Sequence, residues 1–359
     1  MDDNYELLID ALNMMGGSAH MPKVKELIEL LKALYTPEEA YIASKMPRVP
    51  SQLERIAKNF DLNLNELQPA LERMCDRGTV YCKDKQQVRY YNPMPLIPGV
   101  FEFILMKGEV TDQAKRIARL FEDFFEYMRK LPTEKVISTS VPFMRVIPIE
   151  KEVESTTEIL PYELISEYIE KSEYISVSTC YCRHHGELIG NPCDKPKEVC
   201  FCFGPNAKFV SDRGFGRLVS KEEAFQKMKM AEEAGLIHCA GNTSKYINFV
   251  CNCCTCHCGI AQGLKKAIQP STAAHSNYII EYNQEDCTGC GACIERCPME
   301  IITENEEIVA IDTSRCIGCG LCASTCPSGA LKLTLRSEVH EPFKTQADLI
   351  ASMGTFKSD

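Results

Sequence analysis

Apolar residues in the first half of the chain recur at helical spacing. Leu53, Ile56, Ala57 and Phe60 share one helix face, and Leu67, Leu71 and Met74 share another. Asn65 is placed to cap the second helix, with Pro69 in its first turn, and Gly78 is placed to stop it. "TVYC" and "VRYY" follow as the strands of a hairpin. Pro95 to Gly108 is almost wholly apolar and reads as core between modules or as a subunit contact. Phe121, Phe124, Phe125 and Met128 form a helical core stripe, and Pro132, Pro142 and Pro148 punctuate an extended connector. Ser220 and Glu223 form a capping box for a helix that ends at Gly235. "YIIEY", "EIVAID" and "ALKLTL" supply short strands near the end.

The Ser51 to Pro93 segment resembles a winged helix. Its would-be recognition helix carries Glu66, Glu72 and Asp76 against Arg73 and Arg77, and the whole chain has a net charge of -10. An acidic helix on an acidic protein meets phosphate poorly, which favours protein docking over nucleic-acid binding. Cys75 and Cys82 read as a core thiol and a wing thiol.

The 359 residues are 45% hydrophobic and 25% charged, the composition of a soluble chain of several domains. The acidic start "MDDNYELLID" is unlike a signal peptide, and no stretch has the length of apolar residues that a membrane span needs. These features give the expectation of a cytoplasmic protein without a transmembrane segment. The 21 cysteines cannot all pair, and they cluster instead of spreading, so a disulfide scaffold is excluded in favour of metal.

"CTGCGACIERCP" (Cys287 to Pro298) and "CIGCGLCASTCP" (Cys316 to Pro327) repeat one pattern, CxxCxxCxxxCP. Three close thiols suit one corner set of a [4Fe–4S] cubane, and glycines between them allow backbone N–H groups to face sulfur. Ser276 to Arg336 resembles the bacterial-type dicluster ferredoxin. The resemblance implies that Cys287, Cys290, Cys293 and Cys326 hold one cluster, and Cys316, Cys319, Cys322 and Cys297 the other.

Eleven further cysteines lie between Cys180 and Cys258. Cys180 and Cys182 follow a strand-like run, and Cys193, Cys200 and Cys202 read as a loop. "CNCCTCHC" adds Cys251, Cys253, Cys254, Cys256 and Cys258. In an extended segment adjacent side chains point to opposite sides, so Cys253 and Cys254 are expected to serve different centres, while each CxC pair serves one. Cys180, Cys182, Cys193, Cys200, Cys251, Cys253, Cys254, Cys256 and Cys258 form a pool of ligands for one or two further clusters, four in total for the chain. Zinc is the competing occupant. His184, His185 and His257 are expected to donate to sulfur or carbonyl, and Cys202 and Cys239 have no assigned role. Cations from Arg183 to Lys221 are expected to stabilise the anionic clusters. "DRGFGR" lacks the rest of a nucleotide motif and reads as a loop.

The whole chain resembles multi-cluster ferredoxin-type proteins of anaerobic bacteria and archaea. The expected fold is α+β multidomain, with a helical and winged-helix-like module (1–108), a helix and extended connector (109–160), a cysteine-rich metal-cluster domain (161–275), a dicluster ferredoxin domain (276–336) and a tail (337–359). The resemblance implies an electron-transfer subunit of an anaerobic oxidoreductase complex, with other subunits or a soluble carrier as partners. Two alternatives stay open: a redox-sensing regulator that uses the winged helix, and a catalytic cluster with one open iron site.

Overall fold

The computed structural model describes residues 3–15, 21–60, 63–131, 141–153, 160–267 and 274–353. Among these no helix is long and apolar enough to cross a membrane. Pro132 lies outside them.

Three helices, Asp3–Met14, Lys25–Leu34 and Pro37–Lys45, pack their apolar stripes together at the start of the chain. Helices Leu53–Ala57 and Leu64–Asp76 follow, then strands β1 (Val80–Lys85) and β2 (Val88–Pro93), paired antiparallel with Val80 opposite Pro93. The helix cap is Asn63, not Asn65. The Asn63 side chain accepts from the Glu66 N–H at 3.0 Å. The helix therefore starts at Leu64, and Pro69 falls in its second turn, where one backbone bond is forgone. Gly78 stops the helix at a φ of 76°, and the Thr79 N–H returns to the Met74 carbonyl at 3.0 Å.

The centre of the molecule is a seven-stranded sheet. Its strands are β3 (Met144–Ile147), β4 (Ile175–Thr179), β5 (Glu198–Phe203), β6 (Arg217–Leu218), β7 (Ile237–Gly241), β8 (Phe249–Cys253) and β9 (Ala274–His275), in the order β6-β4-β5-β8-β7-β3-β9. All neighbours are antiparallel except β3 and β9. The segment expected as connector thus supplies β3. The side chains of Phe201, Phe203, Val250 and Ala240 leave one face of the sheet and pack against helices Ile165–Lys171 and Lys221–Glu233. Cys200, Cys202, Cys239, Cys251 and Cys253 occupy the alternate positions and so share the other face.

Pro95 to Gly108 is core between modules. Leu96, Val100, Phe101, Leu105 and Met106 are buried. Phe101 lies 5.6 Å from Tyr181, and Phe103 lies 5.3 Å from Phe215, ring centre to ring centre. The hairpin also docks on the central domain, with Tyr81 4.7 Å from Phe209. Arg213 fixes the contact by donating at 2.6 Å to both Glu72 and Asp76.

The C-terminal module pairs β10 (Tyr278–Tyr282) with β13 (Leu331–Leu335), and β11 (Ile302–Asn305) with β12 (Ile308–Ile311). It is joined to the central sheet by a buried ion pair. Arg145 on β3 donates to Glu163 at 2.8 Å, and Glu163 accepts from Asn277 at 2.9 Å.

Candidate metal centres

In the C-terminal module the thiols surround two cavities. One is lined by Cys287, Cys290, Cys293 and Cys326, with Tyr282 and Val309 closing it. The other is lined by Cys316, Cys319, Cys322 and Cys297, with Ile280, Met299 and Leu333. Cys297 and Cys326 follow short helical turns, Ala292–Arg296 and Ala323–Thr325, that carry them across to the opposite cavity. Gly318 has a φ of 63° and turns its N–H to the Cys316 sulfur at 3.4 Å. A Cβ at Gly318 would stand 2.1 Å from the Tyr278 carbonyl oxygen, so only glycine fits there. Burial pushes the Cys319 and Cys322 thiols up. Thiols buried in apolar surroundings at these positions suit a metal that replaces their protons.

The central cysteines divide into two groups. In the first, six thiols are close enough to shift one another's ionisation around a closed ring: Cys180 with Cys182, Cys182 with Cys258, Cys258 with Cys253, Cys253 with Cys251, Cys251 with Cys200, and Cys200 with Cys180. Cys239 joins through Cys253. The sheet explains the set. Cys239 stands directly opposite Cys251 across β7 and β8, and the pairing of Phe201 with Val250 brings Cys200 alongside Cys251. Cys180 and Cys258 come from outside the sheet, as N-cap residues of helices Tyr181–Leu188 and Gly259–Lys266. Cys200 and Cys202 lie on β5, not in a loop, because the chain from Glu198 alternates buried faces as a strand. Cys202 falls outside the ring, in the apolar core shared with Phe209 and Phe215.

Six thiols in contact cannot all ionise or all stay neutral at equal cost. Alternate members are driven apart. A hydrogen bond from Cys182, then one from Cys200, holds Cys180 well below the ordinary thiol value. Cys200 and Cys253 lower Cys251 to about 5, and Cys182 and Cys253 lower Cys258. Their neighbours Cys182, Cys200 and Cys253 are pushed up. Such a concentration of thiolate charge fits an iron–sulfur cluster, whose irons answer it directly.

Arg183 supplies the protein's own answering charge. It is among the largest fully buried side chains. It donates through Nη1 to the Asn252 carbonyl at 3.1 Å, while its Nε and Nη2 find no acceptor among the described residues. Burial alone would lower its pKa, yet the thiols of Cys180, Cys200 and Cys254 raise it. A buried guanidinium with spare donors beside thiolates fits an anionic group bound there. The other cations of this stretch have partners elsewhere, and Arg213 donates to the sulfur of Cys82 at 3.1 Å as well as to Glu72 and Asp76. Lys197 pairs with Glu187, Arg217 with Glu198 and Glu223, Lys208 with Asp212, and Lys221 with Glu170.

The second group is Cys193, Cys254, Cys256 and His257, whose ligand atoms all lie within 4.8 Å of one another. Cys254 is separated from Cys253 by the sheet and packs with Val199, Ala231 and Leu236. Asn252, the residue between two cysteines in "CNCC", shares that side. Its amide donates to the Val199 carbonyl at 2.7 Å and it bonds His238. His184 and His185 are committed to the carbonyls of Glu109 and Ala118, each at 3.0 Å. The sequence offered no signal for Cys239, which only strand pairing brings to the ring, or for Arg183 as a buried cation facing the ring thiols.

Half of the ring, Cys251, Cys253 and Cys258, belongs with Cys239 to the apolar core that also contains Cys293, Cys297, Cys316, Cys319 and Cys322, while Cys180 and Cys200 belong to the core of the N-terminal half and Cys182 packs against both. No curated protein and no solved structure matches the chain. Residues 279–327 match the 4Fe-4S dicluster domain family, so the C-terminal module is a ferredoxin-type domain that implies two [4Fe–4S] clusters and gives the chain the capacity for iron–sulfur electron transfer.

Proposed function

We propose that the chain is an electron-transfer subunit that moves electrons between the two C-terminal clusters and a third iron–sulfur cluster held in the six-thiol ring, within an oxidoreductase complex of an anaerobic cell. Cys287, Cys290, Cys293 and Cys326 hold one C-terminal cluster, and Cys316, Cys319, Cys322 and Cys297 the other. Four of the six ring thiols, Cys180, Cys182, Cys200, Cys251, Cys253 and Cys258, supply the ligands of the third. One observation carries the reading: the ring thiols Cys251, Cys253 and Cys258 share one apolar core with the C-terminal thiols, with the Ile149 N–H bonded to the Cys319 carbonyl at 3.1 Å. Bound clusters supply one-electron chemistry with little rearrangement. The chain's own residues exclude water, orient the thiols and set the charge around them. The winged-helix-like module acts as a docking element in this reading. Its acidic helix is occupied by Arg213, which argues against its use on DNA. Anaerobic isolation followed by iron and sulfide analysis tests the proposal: about twelve irons with matching sulfide are expected from three cubanes, and about eight would leave the ring without a cluster.

A further inference from the structure

We propose that Cys193, Cys254, Cys256 and His257 form a closed, mononuclear zinc site that is structural and takes no part in electron transfer. This goes beyond the electron-transfer reading and stands apart from the ring.

Four ligands on one tetrahedral zinc, with Zn–S near 2.3 Å, stand about 3.8 Å from one another. Thiolates on a cubane stand wider, because each binds a different iron at a different corner. The three sulfurs and the histidine nitrogen here lie within 4.8 Å of one another, and the sulfurs of Cys193 and Cys256 are 3.3 Å apart. Among the described residues this is the group of His, Cys, Asp and Glu side chains compact enough for a single ion. The cubane cavities of the C-terminal module, by contrast, are lined by thiols spread around an open space.

His257 is set up as a ligand. Its Nε2 bonds the Asn191 carbonyl at 2.7 Å, which requires that nitrogen to carry the proton. Nδ1 is therefore the basic nitrogen, and it is buried with no partner among the described residues. A carbonyl that fixes the tautomer and leaves the other nitrogen without a hydrogen-bond partner is the usual support for a zinc-bound histidine. The ring packs closely on Gly186, where a Cβ would stand 2.2 Å from His257 Cδ2. The turn is held from both sides as well: the Cys258 N–H bonds the Cys254 carbonyl at 3.1 Å, and Gln262 donates to the Cys256 carbonyl at 2.7 Å. Three thiolates and one imidazole leave no open position, the mark of a structural site, and at matched geometry such a set prefers zinc to iron(II). Zinc here would fasten the 191–197 loop to the turn that also carries Cys253 and Cys258 to the ring.

The test uses full-length protein isolated anaerobically, with zinc, iron and sulfide measured on the wild type and on Cys193→Ala, His257→Ala and His257→Cys. One zinc per chain is expected in the wild type. Cys193→Ala and His257→Ala should lose at least about nine-tenths of it while iron, sulfide and the reduced EPR spectrum stay unchanged, and His257→Cys should retain it. X-ray absorption at the zinc edge should show three sulfurs near 2.3 Å and one nitrogen. Since Cys256 is exposed, Cys256→Ser provides a mild variant should the alanines fail to fold. Absence of zinc from the wild type, loss of iron and sulfide together in the variants, loss of one iron without sulfide, or zinc bound by oxygen and nitrogen alone would each overturn the assignment.

Discussion

Cys253 and Cys254 are joined by a single peptide bond and face different groups of thiols. Cys253 contacts Cys251, Cys258 and Cys239, while Cys254 sits with Cys193, Cys256 and His257. Their substitution should therefore give different phenotypes. Cys253→Ala is expected to change the low-temperature EPR spectrum of one iron–sulfur centre, with a three-iron signal as the expected form. Cys254→Ala is expected to leave that spectrum alone. Stepwise reduction of both variants checks this, and identical spectra from the two would contradict it.

Arg183 is the charge expected to tune the ring. Its guanidinium stabilises the more negative, reduced state, so Arg183→Met should lower the midpoint potential of the central cluster. At ~7 Å and an effective dielectric near 20, a unit charge contributes about 2.4 kcal/mol, on the order of 100 mV for one electron. Arg183→Lys should recover part of the shift. A redox titration that finds the central potential unmoved in Arg183→Met would remove this role.

Glu102 makes stability pH-dependent. Burial pushes its carboxyl up to about 7, with the Gly99 N–H pulling the other way. The folded state therefore holds this proton more tightly than the unfolded chain, so stability falls as pH rises from the ordinary carboxyl value of 4.5 to about 7. Glu102→Gln should match the wild type at pH 4.5 or below and exceed it above pH 7, by about 2 kcal/mol after allowance for partial exposure. Urea denaturation followed by far-UV circular dichroism at both pH values measures the difference.

Arg213 holds the N-terminal module to the central domain through Glu72 and Asp76. Arg213→Ala should cost about 1 kcal/mol, since Asp76 is exposed and Glu72 keeps Arg89 at 3.0 Å. Faster proteolysis between Gly78 and Gly108, with iron content retained, is the expected signature. Salt-sensitive, sequence-selective DNA binding by the full chain would instead favour the regulator reading.

The C-terminal module was legible because its thiols are local: each CxxCxxC brings three of them together within one turn, whatever the rest of the chain does. The opposed directions of Cys253 and Cys254 were legible for a similar reason, since strand geometry fixes them. Membership of the ring was not. Cys200, Cys239 and Cys251 meet only through the order β5-β8-β7, and no spacing along the chain encodes that order. Cys202 differs from Cys200 by two residues and shares its face and its apolar core, yet only Cys200 is paired with Cys180 and Cys251. The cation-rich stretch misled because charge counts do not show partners, and most of those cations are taken by carboxylates from distant segments.

On the proposed function the ring holds a reducible cluster in contact with the C-terminal pair. Quantitative EPR of the fully reduced, anaerobically isolated protein tests it most directly. Three reducible centres per chain are expected, with signals broadened by mutual magnetic coupling and with the C-terminal signals simplified when Cys251 and Cys253 are both replaced by alanine. Two centres per chain, with spectra indifferent to the loss of Cys251 and Cys253, would contradict it.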